Sequence, residues 1–177
     1  MSASIKRLRN LRSCEGYSVV DFLIVLVIIS IVVTYVWTQV IQAQRTQVRS
    51  NAAQQFAGYL ETARGDSMRR RATEAVQMAQ VTVLNDRFYT VITDANGDGV
   101  LDPPIVVNLT DQLLTMNGPF PRTFMFNSSG RPLDSSQNPI APAQIVFANA
   151  GGKSAVTLSE VGKATFIQAG TQSMQKP

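Results

Sequence analysis

The chain has no histidine and a single cysteine, Cys14, among its 177 residues. The first absence removes the commonest general base and the commonest metal ligand. The second excludes a disulfide within the chain. No apolar stretch precedes Cys14, so the arrangement expected of a lipid-modified cysteine is missing, and nothing in its sequence surroundings marks the thiol as reactive. Proline is absent before Pro103, so nothing forces a break in a helix over the first hundred residues. There is no glycine-rich phosphate cradle, and no spacing sets a nucleophile beside a base. The expectation is a protein that is not an enzyme.

Charge is also scarce, at 16% of residues, and it is unevenly placed. Lys6, Arg7, Arg9 and Arg12 against Glu15 give residues 1–16 a charge of 4 − 1 = +3. Residues 17–177 keep only 12 − 11 = +1. The pI of 9.6 therefore reflects a basic N-terminus and is no argument for nucleic-acid binding.

What the chain does have is one long apolar run. "EGYSVVDFLIVLVIISIVV" spans Glu15 to Val33, and from Val19 to Trp37 the polar or charged residues are Asp21, Ser30 and Thr34. About 20 apolar residues cross a bilayer as a helix. The basic cluster ahead of the run predicts a cytoplasmic N-terminus and an exported remainder. A cleaved secretory signal needs small residues after its core, and here "YVWTQVIQAQRTQ" continues a helical pattern instead. A plain signal anchor accounts for neither Gly16 nor Asp21. A charge in hydrocarbon costs roughly 2.5–3.5 kcal/mol on insertion scales, so Asp21 requires a reason.

The register "G16-Y17-S18-V19-V20-D21" ahead of an unbroken apolar helix resembles the signature of type IV prepilins and type II secretion pseudopilins. The resemblance implies a basic leader at 1–16, removed by a prepilin peptidase between Gly16 and Tyr17, and N-methylation of Tyr17. It makes Asp21 the fifth mature residue, an assembly determinant that in the family is usually Glu, one methylene longer. The new α-amine of Tyr17 lies four residues from Asp21, on the same helical face. The carboxylate is then neutralised within the chain or by a neighbour's amine, since a buried charge needs a partner. The implied partners are other pilin or pseudopilin subunits, the peptidase and an inner-membrane assembly platform. The implied location is the bacterial inner (cytoplasmic) membrane, crossed once, with the C-terminal head in the periplasm or outside and the subunit incorporated in a filament.

Beyond the membrane run, Ile41, Val48, Ala52, Phe56, Tyr59, Leu60 and Ala63 recur at three- and four-residue spacing, an amphipathic pattern. Gln39, Gln42, Gln44, Arg45, Gln47, Arg49 and Asn51 read as the opposite, polar face. A helix from Ser18 to about Arg70 would be roughly 80 Å long at 1.5 Å per residue. "MRRRATEA", from Met68, reads as a solvated helix end with cations at the negative pole. The period then changes. Val81–Thr93 reads as two strands around a turn at Asn85-Asp86. Further strands are expected at Ile105–Leu109, Thr123–Phe126, Gln144–Ala148, Ala155–Leu158 and Ala164–Gln168. The fold class is α+β: a long N-terminal, partly transmembrane helix packed on an antiparallel sheet head, pilin-like. The expected division is 1–16 leader, 17–40 membrane and assembly helix, and 41–177 amphipathic helix plus β-rich head. "DANGDGVLDP", "FMFNSSGRPL" and "AVTLSEVGKATF" resemble regions of the pseudopilin H and FimT-type minor pilin group.

Two stretches carry candidate sites. Asp94, Asn96, Asp98 and Asp102 hold the first, third, fifth and ninth positions of a calcium-loop pattern. The twelfth, normally a bidentate Glu, is Ile105, so a calcium ion would depend on water or Asp111 to complete its shell. The alternative is a bare turn, since Asn-Gly and Asp-Gly favour loop conformations. Some FimT-type pilins bind DNA for uptake through an arginine-bearing C-terminal turn, and this is the alternative function. Here that stretch is "V161-G162-K163-A164-T165", with one Lys and no Arg, while Lys153, Lys163 and Arg131 are scattered along the sequence. Phosphate affinity scales with the cations engaged, so the pattern argues against nucleic acid.

Overall fold

Fifty-two residues without a proline, apolar first and amphipathic afterwards, form one helix, α1 (Val19–Arg70). The computed structural model describes residues 19–168. The chain divides into two units, one up to Val40 and one from Ile41 onward. In the first, every described residue is exposed.

Among its described residues the second unit holds the rest of α1 and nine strands. These are β1 (Gln80–Val83), β2 (Phe88–Ile92), β3 (Ile105–Asn108), β4 (Thr115–Asn117), β5 (Arg122–Phe126), β6 (Pro132–Leu133), β7 (Ala143–Asn149), β8 (Gly152–Leu158) and β9 (Ala164–Gln168). They form two antiparallel sheets, ordered β3-β2-β1-β5-β6 and β4-β7-β8-β9. The α+β class with a long helix on antiparallel strands is thus observed, with two sheets where one was expected. Alternation along β1 turns Val81 and Val83 inward, and along β7 it turns Ala143, Ile145 and Phe147 inward.

The core lies between α1 and both sheets. Phe56 is fully buried and reaches each sheet: its ring is 5.1 Å from Tyr89 of β2, edge-on at 88°, and 5.5 Å from Phe147 of β7. Ala52, Ala53 and Ala63 are small and buried, which lets the helix backbone lie close to the strands. Leu60, Val91, Leu114, Met116, Ile145 and Val156 fill the same cluster. A second, smaller cluster joins Ala72 and Met78 to Met125 and Leu133, so β5 is covered on both faces.

The helix stops in a Schellman arrangement. The Ala72 N–H donates to the Ser67 carbonyl at 3.0 Å and the Arg71 N–H to the Met68 carbonyl at 3.2 Å. Arg71 holds the left-handed position, φ 54°, where glycine is the usual residue.

The turn between β1 and β2 spans residues 84–87, wider than the pair Asn85-Asp86. The Asn85 side-chain oxygen accepts from the N–H groups of Arg87 and Phe88, both at 2.9 Å. Strands β4 and β6 were not expected. They have three and two residues, too short to show alternation, and β6 contains a proline tolerable because it edges its sheet. The buried stripe of α1 also differs in phase. Val48 is exposed and Tyr59 half-buried, whereas Arg49, assigned to the polar face, is 2% exposed.

Candidate functional site

Gly16 and Tyr17, the expected cleavage and methylation positions, lie outside the described residues. Asp21 lies in the first turn of α1 and is exposed. The helix that carries it is long and apolar enough to cross a membrane, and among the described residues none covers its apolar half. The serine and threonine hydroxyls of that half are satisfied internally. Ser30 donates to the Leu26 carbonyl, Thr34 to that of Ser30 and Thr38 to that of Tyr35, each at 2.8 Å. Asp21 differs: among the described residues no cation pairs with it. In hydrocarbon it is the one group of this segment whose charge must be met from elsewhere.

The Asp94–Asp102 loop turns its oxygens to its own backbone. Asp94 accepts from the N–H groups of Gly97 at 2.6 Å and Gly99 at 2.9 Å. Asn96 accepts from the Asp98 N–H at 2.9 Å, Asp98 from Val100 at 2.7 Å and Asp102 from Ala95 at 2.7 Å. The Asp94 side chain is fully buried, and the cation beside it is a guanidinium. One Arg69 nitrogen, Nη2, meets Asp94 Oδ2 at 3.1 Å, the Asp94 carbonyl at 3.2 Å and Asp66 Oδ1 at 3.0 Å. Among the described residues no group of three or more carboxylates gathers where it could hold a metal ion. The four candidate calcium ligands form a hydrogen-bonded turn with an arginine at its base.

The same cluster corrects the reading of "MRRRATEA". Arg69 and Arg70 are not simply solvated. Arg70 grips Asp66 at 2.7 Å with its side chain 10% exposed, and the Asp94 N–H donates to Asp66 at 3.1 Å. Burial raises the Asp66 pKa, but hydrogen bonds from Arg70, the Asp94 N–H and Arg69 outweigh it and hold the carboxyl below its ordinary value.

The turn at Ser159–Lys163 is closed by a hydrogen bond from the Gly162 N–H to the Ser159 carbonyl at 2.9 Å. Gly162 has φ 80°, and a side chain there would collide with the carbonyl oxygen of Gly130. The turns bearing Arg131 and Lys163 therefore touch, although they lie far apart in the sequence. Arg64 joins them, its Nε donating to the Gly130 carbonyl at 3.3 Å. Glu61 offsets this charge, pairing with Arg64 at 3.4 Å and accepting from the Ala164 N–H at 2.7 Å.

No family model, curated protein or solved structure matches the chain. What it does must be read from its own residues.

One structural residue was missed by the sequence pattern. Arg49 donates from Nε to Ser154 Oγ at 3.0 Å and from Nη1 to Asn149 Oδ1 at 3.1 Å, tying α1 to β7 and β8. Asn149 returns the tie by donating to the Arg45 carbonyl at 2.7 Å. The signal was present. Positions 49, 53, 56, 60, 63 and 67, all buried, step by three and four. An arginine heads that series, and its charge had argued for the other face.

Proposed function

We propose that the protein is a minor prepilin-type subunit of a type II secretion pseudopilus or a type IV pilus. It is cut after Gly16 by a prepilin peptidase, held in the bacterial inner membrane by the apolar half of α1 with its head on the far side, and incorporated in a filament. The observation that carries this reading is the pairing of an uncovered apolar helix with one carboxylate, Asp21, five residues after Gly16. A bilayer helix gains nothing from an isolated acid, whereas a subunit that packs against copies or relatives gains a register mark. Cleavage supplies the missing cation at Tyr17. The head, an α+β unit built on the second half of α1, supplies the lateral surface.

The test is intact-mass and N-terminal analysis of the chain expressed with and without a prepilin peptidase. Loss of residues 1–16 with a methyl group on Tyr17 is expected only with the peptidase. An uncut chain in both cases leaves a signal-anchored domain and removes the role given to Asp21.

A FimT-like subunit binding DNA for uptake is the second reading, and the contact between the turns of Arg131 and Lys163 is in its favour. Arg64, Arg131 and Lys163 against Glu61 and Glu160 sum to 3 − 2 = +1, which is a weak phosphate surface. Absence of any DNA mobility shift at low salt removes it.

A further inference from the structure

A groove on the head unit adjoins the tie between Asn149 and the Arg45 carbonyl. Two adjoining hollows of about 300 Å³ and about 390 Å³ share Val48 and Gln112. One wall is a face of α1, where Ile41, Arg45, Val48, Ala52 and Gln55 step by four, three, four and three. That 3.5-residue repeat is the spacing by which one helix seats another. The other wall holds Gln112, Leu113 and Ala150.

Leu113 caps the short turn Thr110–Gln112 in the left-handed position, φ 53°, its N–H donating to the Thr110 carbonyl at 3.1 Å. That cap leaves an apolar side chain 84% exposed at the groove, and such a side chain is available to a contact outside the chain. The Arg45 guanidinium beside it has no hydrogen bond or ion pair among the described residues.

We propose that this groove receives the Val19–Val40 helix of a second copy of the chain, with Asp21 of that copy paired to Arg45. The occupant follows from complementarity. That helix is apolar and uncovered, and its one charge is opposite in sign to the one free in the groove. Setting Asp21 against Arg45 also brings Ile24, Ile28 and Ile31 level with Val48, Ala52 and Gln55, because both sets step by three, four and three. The three isoleucines are 53%, 55% and 65% exposed. The offset is 45 − 21 = 24 residues, roughly 36 Å along a helix. Copies inserted with the same polarity run parallel, so this offset stacks them lengthwise. The proposal rests on the filament-subunit reading and names a second cation for Asp21 besides the Tyr17 amine.

The test uses the full chain in its native host while filaments assemble, in a Cys14→Ser background. One tagged copy carries Ile24→Cys and a second carries Val48→Cys. Mild oxidation is expected to give a product of twice the chain mass. Replacing Val48→Cys by Gln54→Cys, exposed and outside the groove, should give little. Arg45→Glu should lower the Ile24–Val48 yield about two- to fivefold, the range of a partly exposed ion pair, and Arg45→Lys should keep most of it. Equal yield at Gln54, indifference to Arg45→Glu, or a product of another mass would overturn the proposal. Removal of residues 1–16 is scored in the same samples. Normal processing without the cross-link sinks the groove alone, whereas an uncut chain sinks the filament reading and the groove with it.

Discussion

Tyr89 sits at the centre of the head with its ring edge-on to Phe56, and its hydroxyl has no hydrogen-bond partner among the described residues. Burial, and to a lesser degree the neighbouring Tyr59, pushes its pKa well above the ordinary phenol range. The perturbation is Tyr89→Phe. It keeps the ring, the 5.1 Å contact to Phe56 and the 6.2 Å contact to Tyr59. It deletes only the orphaned oxygen. An unsatisfied buried polar group costs about 1–3 kcal/mol. Part of that is returned as lost dispersion where the oxygen stood, so a net gain of about 1 kcal/mol is expected. For a chain of this size that is about 2–4 °C in Tm. Most core substitutions go the other way, and Phe56→Ala should cost about 3–5 kcal/mol. The assay is urea denaturation of the full chain in mild detergent, followed by near-ultraviolet circular dichroism. The sign also has a pH signature. Because the folded-state pKa is raised, the stability linked to Tyr89 is intact below the unfolded value, 10.0, and is lost as pH rises above it. Tyr89→Phe should flatten that alkaline loss. A variant less stable than the parent by 1 kcal/mol or more would show that the hydroxyl is hydrogen-bonded, and the reasoning about this core would be refuted.

Asp21→Ala should leave cleavage after Gly16 intact but reduce filament incorporation, measured by immunoblot of sheared filaments; normal incorporation would overturn the pairing argument. Asp66→Asn should cost about 3 kcal/mol, because it removes the 2.7 Å ion pair of the mostly buried Arg70 and leaves it only the Asp94 carboxylate at 3.9 Å. As the Asp66 pKa is lowered in the fold, its contribution is present above the ordinary value of 3.8 and lost as pH falls below it. The acid limb of the stability curve should therefore flatten in the variant, as read by denaturation between pH 2 and 6. Gly58→Ala and Gly65→Ala should each stabilise the chain by about 0.5–1 kcal/mol, since both sit in α1 with open space where the methyl would go. Thermal melts of the two variants check this, and an unchanged Tm would mean that α1 is not helical at those positions in solution.

The extent of α1 was legible because composition and the lack of proline agree over its whole length. Strands β7, β8 and β9 were legible for a similar reason, as their alternating residues are bounded by turn signals. The buried side of α1 was harder. Val48 and Arg49 are adjacent, and hydrophobicity alone chose the wrong one, since the partners that make Arg49 tolerable lie about a hundred residues away. The Asp94 loop was legible in part: its turn spacing was visible, but Arg69 at its base was not. Arg131 and Lys163 became neighbours only through the Gly130–Gly162 contact, which leaves no periodic trace.

Arg49 and Asp66 together decide how the head would respond to tension along α1. The first is fastened to β7 and β8, in one sheet; the second reaches the loop that leaves β2, in the other. Phe56, between them, leans on both. A lengthwise pull on this part of the helix is loaded in shear across all of these contacts at once, instead of peeling them one after another. Each sheet has its own rivet, so the sheets share the load.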